Sequence, residues 1–152
     1  MARTDRIEVR IGGFGGQGII LAGYLFGKGA ALYDGQEAIF TQVYGPEARG
    51  GACTADVVLS REPIGFPEVT HPHVLAVMSQ EAADLFVGGL DPGGTLLLDE
   101  DLVKLAWPGR TFAVPATRVA TDLGRRIVAN MVMLGFLSAI TGLVAPDSLK
   151  EA

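Results

Sequence analysis

Residues 12–18 contain five glycines and directly follow an apolar segment. The Gly-x-Gly-x-x-Gly spacing from residue 13 to residue 18 is typical of a turn between a strand and a helix that brings backbone N–H groups close to a phosphate. Glycines permit the tight turn, and the helix start adds partial positive charge. A turn that only packs the helix close to the sheet is the alternative. The candidate binding residues are Gly13, Phe14, Gly15, Gly16, Gln17 and Gly18.

A second glycine-rich segment, residues 45–51, contains one arginine, Arg49, followed by Gly50 and Gly51. A guanidinium group can hold a phosphate or carboxylate through two parallel hydrogen bonds. The alternative for Arg49 is an ion pair with Glu47 or with a partner subunit. We include Arg49, Gly50 and Gly51 among the candidate binding residues.

The remaining chemistry-bearing side chains favour structural roles, so we predict no catalytic residue and no metal site. Cys53 has no neighbouring base in the sequence and is predicted to be buried. His71 and His73 fall in a proline-rich segment that predicts a solvated loop. Residues 99–101 are all acidic and predict a solvated turn or a docking point for a basic partner. Trp107 is interpreted as a subunit contact or as local packing.

Strand and helix patterns alternate and predict an α/β fold with an open, mostly parallel sheet and helices on both faces. Strands are predicted at residues 7–11, 37–44, 53–60, 74–78, 94–98 and 111–114, with a further short strand at 63–66; helices are predicted at 17–33, 80–87, 117–123, 125–143 and from 146. The pair 37–44 and 53–60 is joined only by a loop, so part of the sheet could be antiparallel. Both glycine segments then fall at the carboxyl edge, where such sheets bind ligands.

Length and composition restrict the class of protein. The 152 residues predict a single domain over 1–152, with its last helix truncated at the end of the sequence. Charged residues make up 19%, where about 25% is usual, which indicates a surface partly covered by partner chains. A net charge of −5 without a basic stripe argues against nucleic acid as a partner. A single cysteine argues against an iron–sulfur or zinc site in this chain.

The amino terminus lacks the apolar segment of a signal peptide. Residues 127–144 are apolar but include Asn130, Ser138 and Thr141, which favours a buried or interface helix over a membrane span. We therefore expect a cytoplasmic protein with no membrane association.

The glycine pattern by itself suggests a dinucleotide site, but a second requirement is missing. A nicotinamide or flavin enzyme of this type places a carboxylate at the end of the second strand, on the adenosine ribose. Here that end reads Phe-Thr-Gln-Val-Tyr, and the nearest acids, Asp34 and Glu37, come before or at the start of the strand. No Gly-Lys-Ser/Thr follows the glycines, so the turn is not a P-loop either.

Three segments occur in a specific order: the glycine turn 13–18, Gln-Val-Tyr-Gly-Pro-Glu-Ala-Arg-Gly-Gly at 42–51, and Asp-Val-Val-Leu-Ser at 56–60. Together they resemble the gamma subunit of the 2-oxoacid:ferredoxin oxidoreductases. The pairs 130–131 (Asn-Met) and 134–135 (Leu-Gly) are similar to the closing helix of that family. The resemblance covers nearly the whole chain and is far more specific than the glycine pattern alone.

The resemblance implies a subunit of an enzyme that oxidatively decarboxylates a 2-oxoacid with coenzyme A, giving an acyl-CoA, CO2 and reduced ferredoxin. Thiamine diphosphate would lie between the alpha and beta subunits, and the iron–sulfur clusters would belong to a delta-type subunit, ferredoxin or other chains. This chain would contribute coenzyme A binding and assembly, and would be inactive alone. Backbone N–H groups of Gly15, Gly16 and Gly18 and the side chain of Gln17 would bind part of coenzyme A, with Arg49 closing over it.

The sequence does not select the acid. Pyruvate, 2-oxoglutarate and branched-chain 2-oxoacids are all candidate substrates, and the form of the 44–51 segment favours the 2-oxoglutarate type. An indolepyruvate-type relative is a further option. The alternative from another class is an autonomous Rossmann-like nucleotide- or flavin-binding protein.

Overall fold

The computed structural model describes residues 6–44 and 51–152. Within these residues six strands form one sheet in the order β2-β3-β1-β4-β5-β6, with helices α1 to α5. Arg49 and Gly50 lie outside the described residues. The elements are β1 (Ile7–Phe14), α1 (Ile19–Tyr33), β2 (Glu37–Tyr44), β3 (Ala52–Ser60), β4 (Val74–Val77), α2 (Gln80–Phe86), β5 (Thr95–Asp99), β6 (Arg110–Val114), α3 (Ala116–Asp122), α4 (Ala129–Thr141) and α5 (Pro146–Glu151).

The sheet is mixed, as the sequence allowed. Strands β1, β4, β5 and β6 run parallel to one another, whereas β3 is antiparallel to both β1 and β2. The antiparallel pair follows from the connection, because a parallel pair needs a crossover of a dozen or more residues and only residues 45–51 join β2 to β3.

Helices cover both faces of the sheet, which confirms the predicted layers. Helices α1 and α4 pack on one face against Val9, Ile11 and Val57, while α2 packs on the other against Leu75 and Val77. Successive side chains of a strand point to opposite faces, so the continuous apolar run of β4 supplies both cores. Among the described residues, every helix is too short or too polar to cross a membrane.

One predicted strand is wrong, and one predicted helix begins later than predicted. Residues 63–66 form no strand, and Arg6 donates to the carbonyls of Phe66 and Glu68, the latter at 2.8 Å. Arg10 donates to the Val69 carbonyl at 2.9 Å, so arginine side chains, and not a strand partner, bind three carbonyls at the end of this loop. The predicted helix 125–143 is a 3-10 turn, Arg126–Val128, followed by α4.

The register brings the glycine turn and the residues that flank the second glycine segment to the same edge of the sheet. Phe14 at the end of β1 pairs with Ala52, and Tyr44 at the end of β2 pairs with Cys53. The residues that flank the Arg49 segment therefore lie one and two strands away from the glycine turn. The end of β4 lies on the other side of β1 at that edge.

Candidate functional site

The glycine turn consists of a strand end, one 3-10 turn and a left-handed residue. Strand β1 continues through the first glycines to Phe14, and the 3-10 turn is Gly15–Gln17. Gly18 has φ of +74°, a conformation that side chains other than glycine rarely adopt. Because this residue interrupts the helical path, α1 begins at Ile19 and not at residue 17 as predicted.

Gln17 holds the turn against two strand ends. Its Oε1 accepts from the Phe14 N–H at 2.8 Å, and its Nε2 donates to the Met78 carbonyl at 2.8 Å. A Cβ on Gly13 would lie 2.5 Å from Gln17 Oε1, so only glycine leaves room for this arrangement. The structure thus gives Gln17 a positioning role, and its predicted bond to a ligand stays a prediction.

Gly15 and Gly16 are the open part of the turn. Both residues are exposed, and a Cβ on either would have no heavy atom within 4 Å. The first N–H groups of a helical turn have no partner inside that turn and are available to an acceptor. The two residues between the anchored ends are therefore those that a ligand can approach.

Asn130, the second residue of α4, contacts the other end of the turn. It is 6% exposed, and its Nδ2 donates to the Gly18 carbonyl at 3.1 Å. The sequence suggested no role for this side chain beyond its resemblance to the closing helix. The contact joins residues 112 positions apart, so no local pattern could indicate it.

A cleft of about 350 Å³ opens beside the glycine turn. Most of its lining is apolar, and Arg126 is its one cationic residue. Arg126 is exposed, and among the described residues it forms no ion pair with a carboxylate. Sequence reasoning missed this residue because it assigned Arg126 to the first turn of a long helix. The lining consists of Phe14, Gly16, Gln17, Met78, Leu102, Thr117, Arg126, Ile127 and Ala129.

Asp99 organises another part of the cleft, contrary to the prediction of a solvated acidic turn. It is fully buried, and its Oδ1 accepts from the N–H groups of Asp101 and Leu102 at 3.0 and 3.2 Å. Its Oδ2 accepts from the N–H and hydroxyl of Thr117 at 3.1 and 2.7 Å. Asp99 thereby fixes two lining residues, Leu102 and Thr117, relative to each other. Its charge is satisfied inside the protein because four donors surround it.

The two neighbouring acids are paired at the surface. Arg118 donates to Asp101 at 2.6 Å and to Glu100 at 3.0 Å. The hydrogen bond to Asp101 is the main cause that raises the pKa of the Arg118 guanidinium above its ordinary value. The acidic run thus carries partners of its own, whereas Arg126 contributes positive charge to the cleft.

Cys53, the histidines and Trp107 take no part in the cleft. Cys53 is buried on β3, as predicted, and burial raises the pKa of its thiol. His73 is not in a solvated loop, because its Nδ1 accepts from the Glu8 N–H at 2.9 Å. Trp107 packs locally over Gly109, and the described residues contain no cluster of three metal-ligating side chains.

The sheet order bears on the dinucleotide alternative. In the dinucleotide-binding fold the ribose carboxylate stands at the end of the parallel strand beside β1. Here the antiparallel β3 occupies that place, and its residues at this edge are Ala52, Cys53 and Thr54. None of these three is an acid, so among the described residues β3 brings no ribose-binding carboxylate to this edge.

The model of one protein family matches residues 8–152: pyruvate ferredoxin/flavodoxin oxidoreductase. The chain belongs to this family. The KorC subunit of 2-oxoglutarate synthase from Methanocaldococcus jannaschii is 49% identical over 97% of this chain and 81% of its own length. These similarities confirm the resemblance to the gamma subunits of 2-oxoacid:ferredoxin oxidoreductases.

Two solved structures of oxidoreductases share the fold. The gamma subunit of a keto/oxoacid ferredoxin oxidoreductase from Geobacter sulfurreducens has a TM-score of 0.87 at 40% identity, covering 97% of this chain and 83% of that chain. A 2-oxoglutarate:ferredoxin oxidoreductase from Magnetococcus marinus, with 2-oxoglutarate, coenzyme A and succinyl-CoA bound, also has a TM-score of 0.87. It is 23% identical, covering 98% of this chain and 26% of that chain, and shows the fold alone. The chain is thus a gamma-type subunit of an oxidoreductase complex.

Proposed function

We propose that this gamma-type subunit supplies part of the coenzyme A site of its 2-oxoacid:ferredoxin oxidoreductase. The observation that carries the proposal is the cleft beside the glycine turn, where the exposed residue Gly16 and the cation of Arg126 lie among mostly apolar lining residues, with the exposed Gly15 next to them in the chain. An anion is bound by N–H groups and a guanidinium, and an alkyl chain is bound by apolar side chains.

The chemistry of coenzyme A matches this lining in two respects. Its phosphate groups are acceptors for the N–H groups of Gly15 and Gly16 and for Arg126, while its pantetheine arm is suited to Phe14 and Ile127. Coenzyme A is longer than the cleft, so this chain holds one part of it. The coenzyme A-bound fold neighbour supports this choice of ligand.

The rest of the reaction takes place outside this chain. The complex converts a 2-oxoacid, coenzyme A and two oxidised ferredoxins into an acyl-CoA, CO2, two reduced ferredoxins and a proton. Alpha and beta subunits hold thiamine diphosphate between them, and an iron–sulfur subunit or ferredoxin accepts the electrons. This chain holds one part of coenzyme A and thereby positions it for the reaction. The isolated chain is inactive. The complex operates in the cytoplasm.

The 2-oxoacid is proposed to be 2-oxoglutarate. Support comes from the KorC relative, which is a subunit of a 2-oxoglutarate synthase, and from the form of residues 44–51. Comparison of the reconstituted complex on 2-oxoglutarate, pyruvate and a branched-chain 2-oxoacid tests this choice. A higher kcat/KM for either of the other acids would overturn it.

Substitution of Arg126 tests the coenzyme A site. In the reconstituted complex Arg126→Gln is expected to raise the KM for coenzyme A roughly five- to tenfold, the order expected for one partly solvated charge-assisted hydrogen bond. CO2 release from the 2-oxoacid without coenzyme A, which needs only thiamine diphosphate, should be unchanged. Arg49→Ala is expected to act in the same way, as the sequence predicts.

Arg125→Gln is the matched control, because Arg125 is the preceding exposed cation and does not line the cleft. It should leave both activities at the parent level. An Arg126→Gln variant whose KM for coenzyme A equals that of Arg125→Gln would contradict the proposed site. Equal loss of both activities would assign Arg126 to assembly of the complex.

A further inference from the structure

Asn130 connects two structural elements that line the cleft. It stands two residues after the 3-10 turn Arg126–Val128, which contributes Arg126 and Ile127 to the lining. Its Nδ2 donates to the carbonyl of Gly18, which is the last residue of the glycine turn. One buried amide therefore links the glycine turn to the segment that carries the cation.

The amide is oriented by its own helix. Asn130 Oδ1 accepts from the Met131 N–H at 2.9 Å, one of the N–H groups that the first turn of a helix leaves without an internal partner. With Oδ1 used in this way, Nδ2 is the atom presented to Gly18. The Gly18 carbonyl also accepts the first hydrogen bond of α1, from the Ala22 N–H at 3.0 Å. Asn130 thus joins the starts of α4 and α1.

Gly18 is matched to this side chain in shape. A Cβ at residue 18 would lie 2.3 Å from Asn130 Nδ2, closer than atoms can approach. Gln17 holds the preceding part of the turn to Met78, so the turn is anchored at residues 17 and 18 and is open at Gly15 and Gly16. The position of the open residues relative to Arg126 is then set by the Asn130 contact.

We propose that Asn130 is a positioning residue that holds the glycine turn at a fixed distance from Arg126, so that both can bind one anionic group of the ligand. The proposal rests on the proposed function for the identity of that ligand, coenzyme A. The geometric part, that Asn130 orders the turn, does not depend on the ligand.

Asn130→Asp is the informative substitution. The carboxylate keeps an acceptor for the Met131 N–H and is favourable near a helix start, so α4 should form. Its second oxygen faces the Gly18 carbonyl and repels it. In the full complex we expect a roughly tenfold rise in the KM for coenzyme A with kcat within twofold of the parent, the order expected for loss of one buried hydrogen bond.

Hydrogen exchange of the purified chain measures directly whether Asn130 orders the glycine turn. The amides of Phe14 and Ala22, which donate to Gln17 Oε1 and to the Gly18 carbonyl, should exchange roughly tenfold faster in Asn130→Asp than in the parent, while those of β3 should be unchanged. Asn130→Ala removes the donor without adding charge and should show the same exchange pattern. It serves as the second variant in case the carboxylate of Asn130→Asp disturbs folding.

Ser138→Ala is the matched control on the same helix. Ser138 is buried, and its hydroxyl donates to the Val144 carbonyl, away from the cleft. This variant should lose stability without a change in the KM for coenzyme A. If Asn130→Asp behaves like Ser138→Ala, or if exchange of the Phe14 and Ala22 amides is unchanged, the positioning role is refuted. If exchange rises but Arg126→Gln leaves the KM for coenzyme A unchanged, the proposed ligand is wrong and the positioning role stands.

Discussion

Replacement of Gly18 by alanine separates two reasons for a glycine at this position. The first is the backbone, whose φ of +74° costs an L-residue about 1–2 kcal/mol. The second is the Asn130 amide, whose Nδ2 would lie 2.3 Å from the new Cβ. Displacement of this amide breaks a buried hydrogen bond, which costs about 1–3 kcal/mol more. Gly18→Ala should therefore lower the free energy of unfolding by about 2–5 kcal/mol, the sum of both effects.

Gly35→Ala is the control for the cost of the backbone conformation alone. Gly35 has φ of +67°, and a Cβ there would have no heavy atom within 4 Å. Its cost should be about 1–2 kcal/mol. Urea unfolding of the purified chain measures both variants, and a double substitution with Asn130→Ala completes the cycle. In the Asn130→Ala background, Gly18→Ala should cost no more than Gly35→Ala does in the parent. If Gly18→Ala already equals Gly35→Ala in the parent chain, the packing of Asn130 against residue 18 is not what requires glycine.

Two further predictions concern buried groups. Asp99→Asn must turn an NH2 group towards donors that now face a carboxylate, so the free energy of unfolding should fall by about 2–3 kcal/mol in urea titrations. Asp101→Asn, at the exposed ion pair with Arg118, should leave the free energy of unfolding nearly unchanged. The raised thiol pKa of Cys53 means that the folded state holds its proton more tightly, so the contribution of this thiol to stability should be constant below about pH 8 and should fall as the pH rises beyond the thiol pKa of the unfolded chain. Thiol reagents should label Cys53 at pH 8 only after unfolding, and rapid labelling of the native chain would refute its burial.

The sequence could predict the part of the fold that rests on local pattern. The apolar run of β4, the glycine turn after β1 and the loop between β2 and β3 all follow from residue type and spacing within a few positions. The placement of the ends of β1 and β2 at one edge of the sheet followed from strand direction alone. The register that places Phe14 opposite Ala52 confirms it.

The cleft could not be predicted because its parts are distant in sequence and are held by single side chains. Arg126 looked like part of a continuous helix, since an apolar run of this length is typical of one. The helix in fact begins at Ala129, after a 3-10 turn that presents Arg126 to the cleft. Asp99 looked solvated because its two neighbours are also acidic, and only the fold brings Thr117 to it.

A glycine turn at the end of a strand shows where an anion can be bound, but not which one. The Gly-x-Gly-x-x-Gly spacing is the same whether the adjacent group is a ribose-binding acid or a cation. In this chain the neighbouring strand β3 brings no carboxylate to that edge, and the segment before α4 brings Arg126. Substitution of the turn alone would weaken any phosphate ligand, so it could not separate a dinucleotide from coenzyme A. Substitution of Arg126 changes the cation beside the turn, and substitution of Asn130 changes the link between that cation and the turn. The cation is the feature that distinguishes the proposed coenzyme A site from a dinucleotide site.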